Sequence, residues 1–159
     1  MLEQSLEKTR LLALEISPPV LYEIGLEAAV SWLLEQFKDK HGLQYVFEDD
    51  KKQKPLDNNI RVLLFQAVRE LLMNIIKHAD ADKASVSMKK EKRAIKIVVE
   101  DSGKGFDSGN FTFKADKSGG YGLFSINERL QYLGGSMHIK SRQGKGTRIT
   151  LEAPVRKTR

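Results

Sequence analysis

The sequence predicts an α/β fold of the α+β kind, a two-layer sandwich whose mixed, mostly antiparallel sheet is covered on one face by helices. Three observations predict it. Helical and strand-like periodicities follow one another as α, β, α, β, β, loop, α, β, β, and paired strand runs argue against the regular alternation of a doubly wound parallel sheet. The strand runs alternate apolar and polar residues, as a sheet wet on one face requires. The 159 residues are 40% hydrophobic and 30% charged, which supplies a core and excludes a disordered chain or a fibre.

Leu2, Leu6, Leu11, Leu12 and Leu14 lie among charges in residues 2–15, which read as a helix. Ser17-Pro18-Pro19 stops it, because proline disfavours helix in the residue before it. This break separates 1–17 from a unit of 18–155, with 156–159 as a basic tail. Residues 22–40 repeat an amphipathic helical pattern (Leu26, Ala29, Val30, Leu33, Leu34, Phe37) that closes near Gly42. Leu43, Tyr45 and Phe47 then alternate as a strand, and a turn-rich basic stretch with Lys51-Lys52-Gln53-Lys54 follows. Pro55 and Asp57 or Asn58 start a long helix, with a small polar side chain as N-cap and apolar periodicity up to Ala79. Ala84, Val86 and Met88, then Ile95, Ile97 and Val99, form a β-hairpin around Lys89–Arg93, and Asp101 ends its second strand. A glycine-rich polar segment runs from Ser102 to Gly120, a helix covers Tyr121 to Leu133, and Gly134-Gly135 turns into strands Met137–Ser141 and Arg148–Leu151.

The absence of cysteine excludes a disulfide scaffold, a thiol nucleophile and any thiolate metal site, and it suits a reducing, cytoplasmic setting. No apolar run approaches the roughly 18 residues of a membrane span. The net charge of +6 invites a nucleic-acid reading until it is placed: residues 138–159 hold seven lysines and arginines against the single acid Glu152, so the remainder is neutral. A basic tail without interleaved aromatics is a poor base-stacking platform, so no nucleic-acid partner is expected.

The long helix carries a second face. At 100° per residue from Glu70, Asn74 falls at about +40°, Lys77 at about −20° and His78 at about +80°, one polar stripe beside the apolar one of Leu64, Val68, Leu71, Leu72 and Ile75. By itself such a stripe is the solvated edge of an amphipathic helix. Asp101-Ser102-Gly103-Lys104-Gly105-Phe106 adds a carboxylate at a strand end, followed by two glycines that let a ligand approach the backbone. Ser118-Gly119-Gly120-Tyr121-Gly122-Leu123 opens a helix whose amide groups suit phosphate oxygens. Neither segment has the spacing of a P-loop or of a dinucleotide fingerprint.

Taken together and in order, RELLMNIIKHA (69–79), DSGKGF (101–106), GGYGL (119–123) and GKGT (144–147) resemble the boxes of the ATP-binding domain shared by sensor histidine kinases and gyrase-type ATPases, the Bergerat fold. The similarity covers about Gly25 to Pro154, and LFSINERLQYLGGSMHIKS resembles the nitrate-sensor and desaturase-regulator branch of the histidine kinases. The resemblance implies ATP and Mg²⁺ as cofactors and a mobile lid from about Asp107 to Gly119. It implies that Asp101 accepts a hydrogen bond from the adenine amino group, that Asn74 offers an oxygen to Mg²⁺, and that Glu70 acts on the proton of the attacking group. Lys77 and His78 would neighbour the phosphates, Gly103 and Gly105 would hinge the lid, and Gly120, Gly122 and Leu123 would bring backbone amides to the phosphates. Thr147 would help hold the base, directly or through water; a plain strand threonine is the alternative.

Neither His41 nor His138 has the acidic helical context of a phosphoacceptor in this branch, and His78, beside Lys77 at the carboxyl end of the long helix, reads as structural or phosphate-neighbouring rather than as the acceptor. Residues 1–17 resemble the second helix of a dimerisation hairpin whose first helix carries that histidine, so the chain is expected to bind ATP without phosphorylating itself. The implied partners are a histidine-bearing hairpin of the same protein, a response regulator receiver domain and a second copy of the full-length protein. An ATP hydrolase or nucleotide-gated switch of the same fold, and a non-catalytic basic interaction module, are the competing readings.

Overall fold

The alternation that predicts the strands also decides which side of them is buried. In a computed structural model, which describes residues 2–6, 18–110 and 121–157, the strands are β1 (Gln44–Asp49), β2 (Lys83–Glu91), β3 (Ala94–Asp101), β4 (Ser136–Arg142) and β5 (Gly146–Pro154). They form one sheet in the order β1-β2-β3-β5-β4, parallel between β1 and β2 and antiparallel elsewhere. Ala84, Val86 and Met88, Ile95, Ile97 and Val99, and Ile149, Leu151 and Ala153 are buried on one face, while Lys89, Glu100, Lys140 and Arg148 of the other face are exposed.

Helices α1 (Pro19–Glu23), α2 (Leu26–His41), α3 (Asn58–Asn74) and α4 (Tyr121–Tyr132) accompany the sheet. Leu26, Ala29, Val30, Leu33, Leu34 and Phe37 of α2 and Ile60, Leu63, Leu64, Phe65, Ala67, Val68, Leu71 and Leu72 of α3 supply one continuous core with the buried sheet face. Each fully buried leucine or phenylalanine is worth about 1.5–3 kcal/mol over an exposed one, so α3, which buries most, is the spine of the fold.

The structure differs from the sequence reading in several places. The helix expected over 22–40 is broken at Gly25, whose φ of 132° only glycine takes readily, and Pro19 opens α1 at a position where its fixed φ suits a first turn. Asp57 is the N-cap residue of α3 but makes no side-chain cap bond. The long helix is α-helical only to Asn74 and continues as a π turn over Ile75–Ala79, closed by Asp80 at φ 51°. Its wider i→i+5 turn invalidates the 100° wheel beyond Asn74, so the angles assigned to Lys77 and His78 do not hold. The strands are longer than expected, and the hairpin turn contracts to Lys92-Arg93. Residues 2–6 are helical, with Leu2 and Leu6 exposed; the rest of the expected 2–15 helix, Leu11 included, lies outside the described residues.

One buried cation stands out. Lys54, its side chain 1% exposed, lies 2.5 Å from Asp49 Oδ1, 2.7 Å from Asp50 Oδ1 and 3.6 Å from Glu27 Oε1. It also donates to the carbonyl of Lys52, and Asp50 Oδ2 accepts the Lys90 N–H at 2.7 Å. This clamp ties the loop before α3 to the end of β1, the start of α2 and β2.

Candidate functional site

Asp101 occupies the last position of β3 on the phase that buries Ile95, Ile97 and Val99, so the same alternation that builds the core turns a carboxylate toward the helical layer. It is 8% exposed. Its Oδ1 accepts the Gly103 N–H at 2.8 Å, and the backbone N–H of Thr147, its partner across the ladder, donates to it as well. Burial pushes the carboxyl above the usual carboxylate range against the pull of these two donors, and the neighbouring charge of Glu100 adds to the push. A carboxylate has about four lone-pair sites, so this dry group retains capacity for an incoming donor.

The register continues the row. Thr147 faces Asp101 on one side and Ser141 of β4 on the other, and the two hydroxyls are 2.8 Å apart. Ser141 Oγ also accepts the Phe106 N–H at 2.9 Å and donates to the Gly146 carbonyl. The sequence reading missed Ser141; the signal was a serine on the core-facing phase of β4, two residues beyond Ile139.

Gly103 and Gly105, the expected hinge of the lid, lie in a closely packed corner. A Cβ on Gly103 would stand 2.0 Å from the Ala79 carbonyl oxygen, and one on Gly105, at φ 61°, would stand 2.2 Å from that of Arg142. Lys104 N–H bonds to the Ala79 carbonyl at 2.7 Å, and Gly144 N–H to that of Lys104 at 2.6 Å. The Asp101 loop is thereby fixed to the end of the π turn on one side and to the β4–β5 turn on the other. Gly146, quoted in the last box but given no role, packs against the Asp101 carbonyl, where a Cβ would come within 2.1 Å.

Glu70 and Asn74 of α3 are half-buried, one turn apart, whereas Lys77 and His78 are exposed on the π turn. Gly122 of α4 lies hard against the Glu70 side chain, and Arg129 donates to Gln66 Oε1 at 3.2 Å, so α3 and α4 run antiparallel. Leu123 is 7% exposed and part of the core, which leaves only its backbone for a ligand. Gly120 and the lid residues from 111 onward lie outside the described residues. Among the described residues no group of three or more acidic or histidine side chains could hold a metal ion. A single amide oxygen at Asn74 suits Mg²⁺ all the same, since that ion keeps several waters and takes its other ligands from phosphates.

An open sheet with one helical layer, an acid closing a core strand, and glycines packed at its turns define the Bergerat class of nucleotide-dependent ATPases. Residues 59–157 match the family model described as histidine kinase-, DNA gyrase B-, and HSP90-like ATPase, and the chain belongs to that family. It is 32% identical over 150 residues to the oxygen sensor histidine kinase NreB of Staphylococcus carnosus (strain TM300), covering 94% of this chain and 42% of that protein. Its fold is similar to that of the blue-light activated histidine kinase of Erythrobacter litoralis EL346 (TM-score 0.66, 17% identity, 82% of this chain and 42% of that one). It is also similar to the histidine kinase AdeS of Acinetobacter baumannii (TM-score 0.66, 20% identity, 98% and 79%). The chain thus spans 42% of the curated relative it matches.

Proposed function

We propose that this chain is the catalytic, ATP-binding part of a two-component sensor histidine kinase, donating the γ-phosphoryl group to a histidine on a dimerisation hairpin for relay to a response regulator. The observation that carries the proposal is Asp101, a carboxylate 8% exposed and pinned by two backbone donors at the end of a core strand. A desolvated acceptor of this kind favours an exocyclic amino group over a carbonyl, because a carbonyl would leave it unpaired at a cost of about 1–3 kcal/mol. Adenine offers the amino group and guanine the carbonyl. Thr147, held by Ser141, flanks the same base.

Asn74 would hold Mg²⁺, whose charge offsets that of the phosphates. Lys77 and His78, exposed at the end of the helix, would add cationic or donor groups beside them. Glu70 accepts the proton that the attacking imidazole sheds as its nitrogen bonds to the γ-phosphorus and the bond to the β–γ bridging oxygen breaks, releasing ADP. The full-length protein would act as a dimer in the cytoplasm; among the described residues no helix is long and apolar enough to cross a membrane.

The test is incubation of the chain with labelled Mg·ATP and a histidine-bearing hairpin of this family. Acid-labile, base-stable label on the hairpin is the expected result, sharply reduced to a residual level in Glu70→Gln with nucleotide binding retained. Release of inorganic phosphate without labelling would assign the chain to the ATP hydrolases of the fold instead.

A further inference from the structure

Gly122 is the second residue of α4, and nothing in its backbone calls for glycine, since its φ is not in the left-handed region. Glycine inside a helix is disfavoured relative to alanine because it loses more conformational freedom. What the position does require is space. A Cβ at Gly122 would stand 2.2 Å from Glu70 Oε1, 2.6 Å from Cδ and 3.0 Å from Cγ. The tight positions at Gly103, Gly105 and Gly146 abut carbonyl oxygens of the main chain; at Gly122 all three nearest atoms belong to one acidic side chain.

Resting on the reading of Glu70 as the base, we infer that Gly122 is its positioning residue: the missing side chain makes the bay in which the Glu70 carboxylate lies against the first turn of α4. This role differs from the delivery of a backbone amide to phosphate, and it links the base on α3 to the helix that follows the lid. Because the obstructed atoms are the far end of a flexible side chain, an alanine at 122 is accommodated by swinging the carboxylate aside. The fold survives and the base is displaced.

The experiment compares wild type, Gly122→Ala, Glu70→Gln and the double variant for phosphotransfer to the supplied hairpin at saturating ATP, with ATP affinity by calorimetry and Tm measured on the same samples. Gly122→Ala is expected to lower transfer at least ten-fold while ATP affinity moves less than three-fold and Tm does not fall. In the Glu70→Gln background the same change costs less than two-fold. The carboxyl resonance of Glu70 in the nucleotide-free protein shifts in Gly122→Ala while that of Asp101 does not. Equal losses in both backgrounds, or a loss confined to ATP affinity, would overturn the inference, as would wild-type transfer by Gly122→Ala with Glu70→Gln impaired. Wild-type transfer by Glu70→Gln would overturn the base assignment and this inference with it.

Discussion

Asp50 and Asp101 each follow or close a strand of the same sheet, yet their surroundings push them in opposite directions. Asp50 sits in the Lys54 clamp, where the ammonium 2.7 Å away and the N–H groups of Lys90 and Lys52 hold its carboxyl well below the usual range. Asp101 has no cation among the causes that shift it; burial raises it, and two backbone N–H groups only moderate the effect. The first region satisfies its charges and gains stability from them. The second keeps a carboxylate in a dry setting with acceptor capacity unspent, which is a cost to folding and an asset for binding.

The comparison breaks first at Asp101. Asp101→Ala is expected to abolish measurable ATP binding by calorimetry, with a smaller effect on Tm than the clamp variant below; tight binding by the variant would show that the base is read elsewhere. Lys54→Ala should do the reverse. It strands Asp49 and Asp50 without their shared cation and should cost about 2–3 kcal/mol in denaturant unfolding. ATP affinity should stay within two-fold, and a parallel loss of affinity would mean that the two regions are coupled.

Acid sharpens the contrast at a smaller scale. A depressed carboxyl such as Asp50 contributes stability that is complete above the ordinary aspartate value of about 4 and is lost as pH falls toward its folded value. A raised carboxyl such as Asp101 behaves oppositely: the nucleotide-free protein loses stability as pH climbs from about 4 through the raised value. Between pH 3 and 7, the Tm of Asp101→Asn should therefore improve relative to wild type as pH rises, while that of Asp50→Asn should worsen. Parallel curves for the two variants would remove the distinction.

Most of what builds the binding end was legible in the chain because it follows local periodicity. The phase that buries Ile95, Ile97 and Val99 puts Asp101 on the core face by simple alternation, and the apolar stripe of α3 turns Glu70 and Asn74 to its border. The clamp was not legible. Lys54 belongs to a lysine run that reads as solvated, and its partners Glu27, Asp49 and Asp50 are brought to it by long-range packing. The π turn escaped for another reason: Ile75 and Ala79 fit an apolar face at either pitch, so nothing in their spacing announces the change after Asn74. The break at Gly25 hides similarly, since Leu21 and Leu26 keep their apolar character on both sides of it. Pairing of β1 with β2, and the place of β5 between β3 and β4, depend on contacts between distant segments that alternation does not encode. Glycine spacing marked the boxes, but the close approaches of Gly103 and Gly105 to main-chain oxygens become visible only when the Ala79 and Arg142 carbonyls are in place.

The most direct test of the account changes one group on the base. Titration of the wild-type chain with ATP and with inosine triphosphate, in which a carbonyl replaces the adenine amino group, isolates the contact assigned to Asp101. The account predicts that ATP binds at least about five-fold more tightly, in line with a penalty of about 1–3 kcal/mol for leaving a buried acceptor unpaired. Equal affinity for the two nucleotides would contradict it.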